Sequence, residues 1–261
     1  MRDTTVTAAS LLPVDRTLGI VLAALLLAAI LVSARYHLGA ETGPKRWRQI
    51  AFAGVRAAVQ LAAVSVVITY VIRSLWALTA FLLLMFATAV RTAGRRLTSD
   101  GSWWLTAVPI AAATAPVVAA LLLTGLVPLK GIALIPIAGI LLGGALTATV
   151  LAGRRALDEL TQRRGEVEAA LSLGFLDRDA RLEVVRPAAS DAQLPGLDQT
   201  RTVGLVTLPG AFVGVLLGGA SPLTAGAVQL FVLIALMAVQ AAAVALTVEL
   251  VARGLLHRPA Q

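Results

Sequence analysis

From residue 202 to residue 248 the chain runs for 47 residues without one Asp, Glu, Lys or Arg. A soluble domain of ordinary size cannot bury such a stretch, whereas a helix crossing the ~30 Å hydrocarbon layer needs only ~20 apolar residues. The run is too long for one span. Its middle reads Gly218-Gly219-Ala220-Ser221-Pro222, a turn and helix-break signal, which divides it into spans at about 202–218 and 223–250. Apolar runs at 18–34, 50–72, 74–90, 103–127 and 131–153 bring the expected total to seven. Unpaired backbone groups are too costly in lipid, and these runs are too long and too uniformly apolar for barrel strands. The expectation is an all-α polytopic membrane protein built as a single domain over residues 1–261.

Composition agrees, with 58% hydrophobic and 14% charged residues, where an ordinary soluble domain has about 25% charged. The absence of Cys excludes disulfides, thiolate metal sites and cysteine nucleophiles. A net charge of +8 would suggest nucleic acid in a soluble protein. Here the basic residues sit in short loops between apolar runs, so the charge reads as membrane topology, with lipid and not nucleic acid as the partner.

Arg35, Lys45, Arg46 and Arg48, then Arg91, Arg95 and Arg96, then seven arginines in 154–198, then Arg253 and Arg258 fall on one side of the expected layout. Arg2, Arg16, Arg73 and Lys130 fall on the other, so the tally is 16 against four. The positive-inside rule therefore places the N-terminus outside and the C-terminus in the cytosol. Only Lys45 and Lys130 of the 22 basic residues are lysine, a bias that looks like a GC-rich bacterial genome, so the membrane is expected to be a bacterial cytoplasmic membrane. Val32-Ser33-Ala34 would pass as a signal cleavage site, but positive charge follows the first apolar run instead of preceding it, which argues for retention.

One segment differs from the other loops. Nine of the 14 acids lie between Asp158 and Asp198, among eight arginines between Arg154 and Arg201. Residues 154–174 read as a helix continuing out of the fifth span, with Val167, Ala170, Leu171 and Gly174 on one face and Gly174 as its C-cap. Asp177 would cap a second short helix reaching about Arg186 and ended by Pro187. Such a pair is either a docking surface or a solvated loop that satisfies itself.

Within it, Glu168-Ala169-Ala170, three residues, Gly174, nine residues and Val184-Val185-Arg186-Pro187 resemble the EAA loop of ABC importer permeases, with Val184 for Ile and Arg186 for Leu. Further marks are Arg56-Ala57-Ala58-Val59-Gln60-Leu61, the Ile135-Pro136-Ile137-Ala138-Gly139 run, and Val203-Gly204-Leu205-Val206-Thr207-Leu208-Pro209-Gly210, with Thr207 where Ser is usual. Together these are similar to the FetB family of ABC permeases, associated with iron export in bacteria and aluminium tolerance in plants. The resemblance covers about residues 18–255. It implies a permease that works as two copies with two ATP-binding subunits. It also implies that Glu168, Ala169, Ala170, Gly174 and Pro187 belong to a coupling loop over 154–200 that docks on the ATPase. The chain carries no GxxxxGK[ST] run. It is therefore expected to be no enzyme itself and to hold no cofactor, with ATP and Mg on the partner.

Polar residues within spans are candidates for the translocation path. Arg56 either snorkels to headgroups or pairs inside the bundle, and Gln60, one turn on, either bonds across helices or lines the path. Thr207 and Pro209 mark either a broken helix that exposes carbonyls or a kink for packing. Gln229 and Gln240 share a face, and Glu249 is within i+4 reach of Arg253. The two His, His37 and His257, flank the spans, so no imidazole or thiolate metal site is expected inside the membrane. A secondary transporter or channel for a small solute is the alternative reading.

Overall fold

The structure, a computed structural model, describes residues 15–36, 45–127 and 129–258. Arg2 and His37 lie outside them. The chain falls into two compact units, Met1–Tyr70 and Val71–Gln261. Among the described residues every named element is helical, and six helices are long and apolar enough to cross a membrane.

The first unit is carried by α1 (Arg16–Arg35) and α2 (Arg46–Val71). Asp15 caps α1, its carboxylate accepting from the Leu18 amide at 3.0 Å. The two helices touch where Gly54 faces Leu26, and a Cβ on Gly54 would lie 2.7 Å from Leu26 Cδ1. Most other apolar side chains point outward, Leu25, Phe52 and Val66 among them. Such a surface suits lipid and not water.

The second unit is organised around two long helices, α5 (Gly131–Gln162) and α10 (Pro222–Ala252), which pack on each other. At 1.5 Å per residue they run about 48 and 46 Å, well beyond the hydrocarbon layer. Small residues are buried along α5, and one of them sits at its contact with α10. Ala145, Ala148 and Ala152 are buried on α5, and Gly144 sits under Leu236 with no room for a Cβ. Close backbone approach of this kind is how helices pack in lipid. Around them stand α3 (Leu75–Leu97) and α4 (Ala107–Leu123), joined through a 3₁₀ turn at Gly101–Thr106. Prolines lie inside α4 (Pro116) and α5 (Pro136), each removing one helical donor.

One end of this unit gathers the charge. Arg258 meets Asp158 at 2.6 Å, His257 meets Asp100 at 3.1 Å, and Arg154 Nε donates to the Arg96 carbonyl at 3.4 Å. The C-terminal ends of α3, α5 and α10 therefore lie together. This is the side on which the charge tally places their basic residues. At the other end Gly131 abuts Ile72.

Three expectations need correction. The first is the sixth span. Instead of one helix over 202–218 the chain forms α8 (Leu194–Thr202), a non-helical turn and α9 (Gly210–Leu217). Each helix is only about 12–14 Å long, too short to cross alone. Gly204 adopts φ +82°, and Pro209 has no amide to continue a helix. The apolar composition is right for a span, but the local backbone chemistry breaks it. The second is the helix expected over 154–174, which breaks at Arg163, so that α6 (Arg164–Ser172) is separate. The third is the helix expected to stop at Pro187. In fact α7 (Asp177–Ser190) continues through it, starting after Leu176 rather than being capped by Asp177. Val184, Val185 and Ala189 are buried where α7 packs on α5 and α10, and this burial outweighs one lost hydrogen bond. The break at 218–222 is as expected: Gly219 has φ +87°, Ser221 caps α10 and Pro222 opens it.

Candidate functional site

Two regions bring the sequence-selected residues together, and the first is the turn between α6 and α7. Glu168, Ala169 and Ala170 lie on α6, and the helix ends in a Schellman motif. The Phe175 amide reaches back to the Ala170 carbonyl at 3.1 Å and the Gly174 amide to Leu171 at 3.0 Å. Gly174 has φ +90°, and a Cβ there would meet nothing within 4 Å, so backbone conformation and not space requires glycine.

Ion pairs fix the base of this hairpin. Arg163 spans the break between α5 and α6, with Nε 2.7 Å from Glu166 Oε1 and Nη1 3.4 Å from Glu159 Oε2. Its Nη1 also donates to the Val184 carbonyl of α7 at 3.5 Å. The Arg163 hydrogen bonds hold the Glu166 carboxyl below the ordinary glutamate range. Glu168 itself pairs with Arg164 at 2.9 Å. At the start of α7, Arg178 grips Glu249 of α10 through two bonds of 2.7 Å, while Arg253 holds the same carboxylate at 2.5 Å. Glu249 thus has the expected Arg253 partner and a second one from α7.

The hairpin tip is apolar and bare. Leu173 is 80% exposed, Leu176 73% and Phe175 47%. The expected face divides: Val167 and Ala170 are half-buried, whereas Leu171 and Gly174 are exposed. Pro187 stands ten residues along α7 from Asp177, about 15 Å away, and does not join the tip. Sequence reasoning missed Leu173, Phe175 and Leu176. Their signal was an apolar run flanking Gly174 within an otherwise charged segment.

The second region is the broken segment. The amides of Leu205, Val206 and Thr207 all turn back on the Thr202 carbonyl, at 2.9–3.3 Å, and the Gly204 amide donates to Thr207 O at 2.9 Å. The Thr207 backbone closes this turn; its hydroxyl makes no hydrogen bond among the described residues. From here the chain follows α10. Gly196 of α8 is wedged against Gln240, leaving no room for a Cβ, and Val203, Pro209 and Phe212 share a cavity of about 300 Å³ with Gly226, Gln229 and Leu233. The segment therefore tracks α10 from Gln240 to Gly226, about 21 Å along the axis. Gln229 is 4% exposed and its Oε1 has no hydrogen-bond partner. Leaving such a group unpaired costs about 1–3 kcal/mol. Arg56 and Gln60 lie in the other unit, exposed on α2 one turn apart. Among the described residues no group of three His, Cys, Asp or Glu is placed to hold a metal.

A family model described as "Uncharacterised protein family (UPF0014)" matches residues 19–256. The chain belongs to this family. Among its UPF0014 relatives, the UPF0014 membrane protein STAR2 of Oryza sativa subsp. japonica is 34% identical over 80% of this chain and 72% of its own length. Protein ALUMINUM SENSITIVE 3 of Arabidopsis thaliana is 35% identical over 72% and 70%. The probable iron export permease protein FetB of Escherichia coli (strain K12) is 28% identical over 80% and 79%. No solved structure matches the chain.

Proposed function

We propose that this UPF0014 member is the permease subunit of an ATP-driven ABC transporter. Two copies form the translocation path, and the α6–α7 tip docks a separate ATPase subunit. The observation that carries this reading is the tip itself: three bare apolar side chains on a hairpin whose base is bridged by ion pairs, at the end where the unit gathers its charge. A self-satisfying loop would bury Leu173 and Leu176. Charged surroundings keep the tip in the aqueous phase, which is consistent with a cytosolic charged end and an outside N-terminus in a bacterial cytoplasmic membrane. ATP and Mg bind on the partner, since this chain lacks a phosphate-cradling motif. Iron export enters through the name of the Escherichia coli relative. A proton-coupled secondary transporter is less well supported, because Glu249, the one acid in α10, is already held by two arginines.

The test is co-purification with the ATPase encoded nearest the permease. Ala170→Arg and Phe175→Asp place charge in the docking surface and should abolish recovery of the ATPase while the permease still inserts. Full recovery and full coupling of ATP hydrolysis to transport in both variants would remove the tip from this role.

A further inference from the structure

The cavity beside α10 holds about 300 Å³, the small end of the range for ligand pockets. Its walls are apolar apart from Gln229 and the backbone of the broken segment. Gln229 is more than nine-tenths buried, lines the cavity and carries an unpaired Oε1. A leucine would fill the same volume without stranding a polar group, so the amide needs a partner that the chain itself does not supply. Gly226 on the neighbouring turn leaves open space where a Cβ would stand, which enlarges the cavity beside Gln229. The lining contains no Asp, Glu, His, Lys or Arg. A bare cation entering here would lose its hydration without meeting a countercharge.

We infer that this cavity binds a small uncharged solute, apolar over most of its surface, with one hydroxyl-like head that pairs with the Gln229 amide. A metal cargo would pass this point only as a neutral chelate. The role of the cavity as a substrate site rests on the transport reading above; its capacity to bind does not.

The experiment uses the full chain in lipid nanodiscs without any ATPase. Phe212→Trp places a reporter in the cavity wall. The probes are 4-bromobenzyl alcohol, whose bromine quenches indole fluorescence, and MnCl₂, a paramagnetic quencher. The alcohol should quench saturably and Mn²⁺ should not. Gln229→Leu should weaken the alcohol about three- to tenfold, the range of one neutral hydrogen bond. Gly226→Leu, or Gly226→Val if the larger variant does not fold, should abolish saturation by filling the space. Saturable quenching by Mn²⁺, a purely linear alcohol response, or an alcohol affinity unchanged by Gln229→Leu each overturns the inference. The co-purification test above is independent: losing the ATPase reading leaves this binding result standing, and a failed titration leaves the docking result standing.

Discussion

At the residue scale, glycines with positive φ do two different jobs. Gly174 turns the chain at the tip, and Gly204 turns it inside the broken segment. An L-residue forced into that conformation costs about 1–2 kcal/mol. Gly204→Ala should therefore lower the unfolding midpoint of the purified protein, and Gly174→Val should speed hydrogen exchange at the Gly174 and Phe175 amides that close the Schellman motif. Thr207 is a contrasting case. Its hydroxyl has no partner among the described residues, so Thr207→Val should change stability by less than about 0.5 kcal/mol in the same melting experiment. A Thr207→Val loss as large as that of Gly204→Ala would show that the hydroxyl, and not the backbone, holds the turn.

At the element scale, α7 is held at its start by Arg178 and along its length by buried Val184, Val185 and Ala189. Arg178→Ala should loosen the first turn of α7, seen as faster exchange over residues 177–182, while the global midpoint moves little, because a partly exposed pair contributes under about 1 kcal/mol. The 3₁₀ turn between α3 and α4 is capped by Asp100. The Ser102 hydroxyl and amide donate to its carboxylate at 2.5 and 2.8 Å and hold it below the ordinary aspartate range. A depressed carboxyl stabilises the fold above its unfolded pKa of about 3.9 and loses that contribution as pH falls through the folded value. Asp100→Asn should therefore lower the midpoint at pH 7, where the depressed carboxyl contributes in full, and the difference from the parent protein should shrink as pH falls below about 4.

At the scale of the whole molecule, the helical class and the positions of six long helices are legible in the chain, because apolar runs of 17 or more residues with at most one charge have few alternatives in lipid. The failure at 202–218 has a physical cause. Hydropathy reports where a segment is content to reside and is silent about backbone breaks, and on hydropathy alone Gly204 and Pro209 look like a kink within one helix. The tip is half legible: spacing finds Gly174 and the small alanines, but exposure of Leu173 and Leu176 depends on what α7 packs against. Gln229 is legible as a polar residue in a span; its missing partner is not. The contact of Gly144 on α5 with Leu236 on α10 predicts one more outcome. Gly144→Leu, pushed against Leu236, should destabilise the second unit by about 1–3 kcal/mol in a thermal melt, whereas Gly143→Leu, with open space beside it, should not.

Helix α5 joins the two ends of that unit as a stiff rod. It starts beside Ile72, runs about 48 Å and ends at the arginine that anchors the exposed hairpin. Pro136, five residues from its start, leaves the Ile132 carbonyl without its usual donor and makes the starting end the easiest place to flex. The geometry is that of a lever with its pivot near one end. From Pro136 to the end of α5 is about 39 Å, so a tilt of about 5° there would displace the hairpin by about 3 Å, and a small strain at one face would reach the other as a larger stroke.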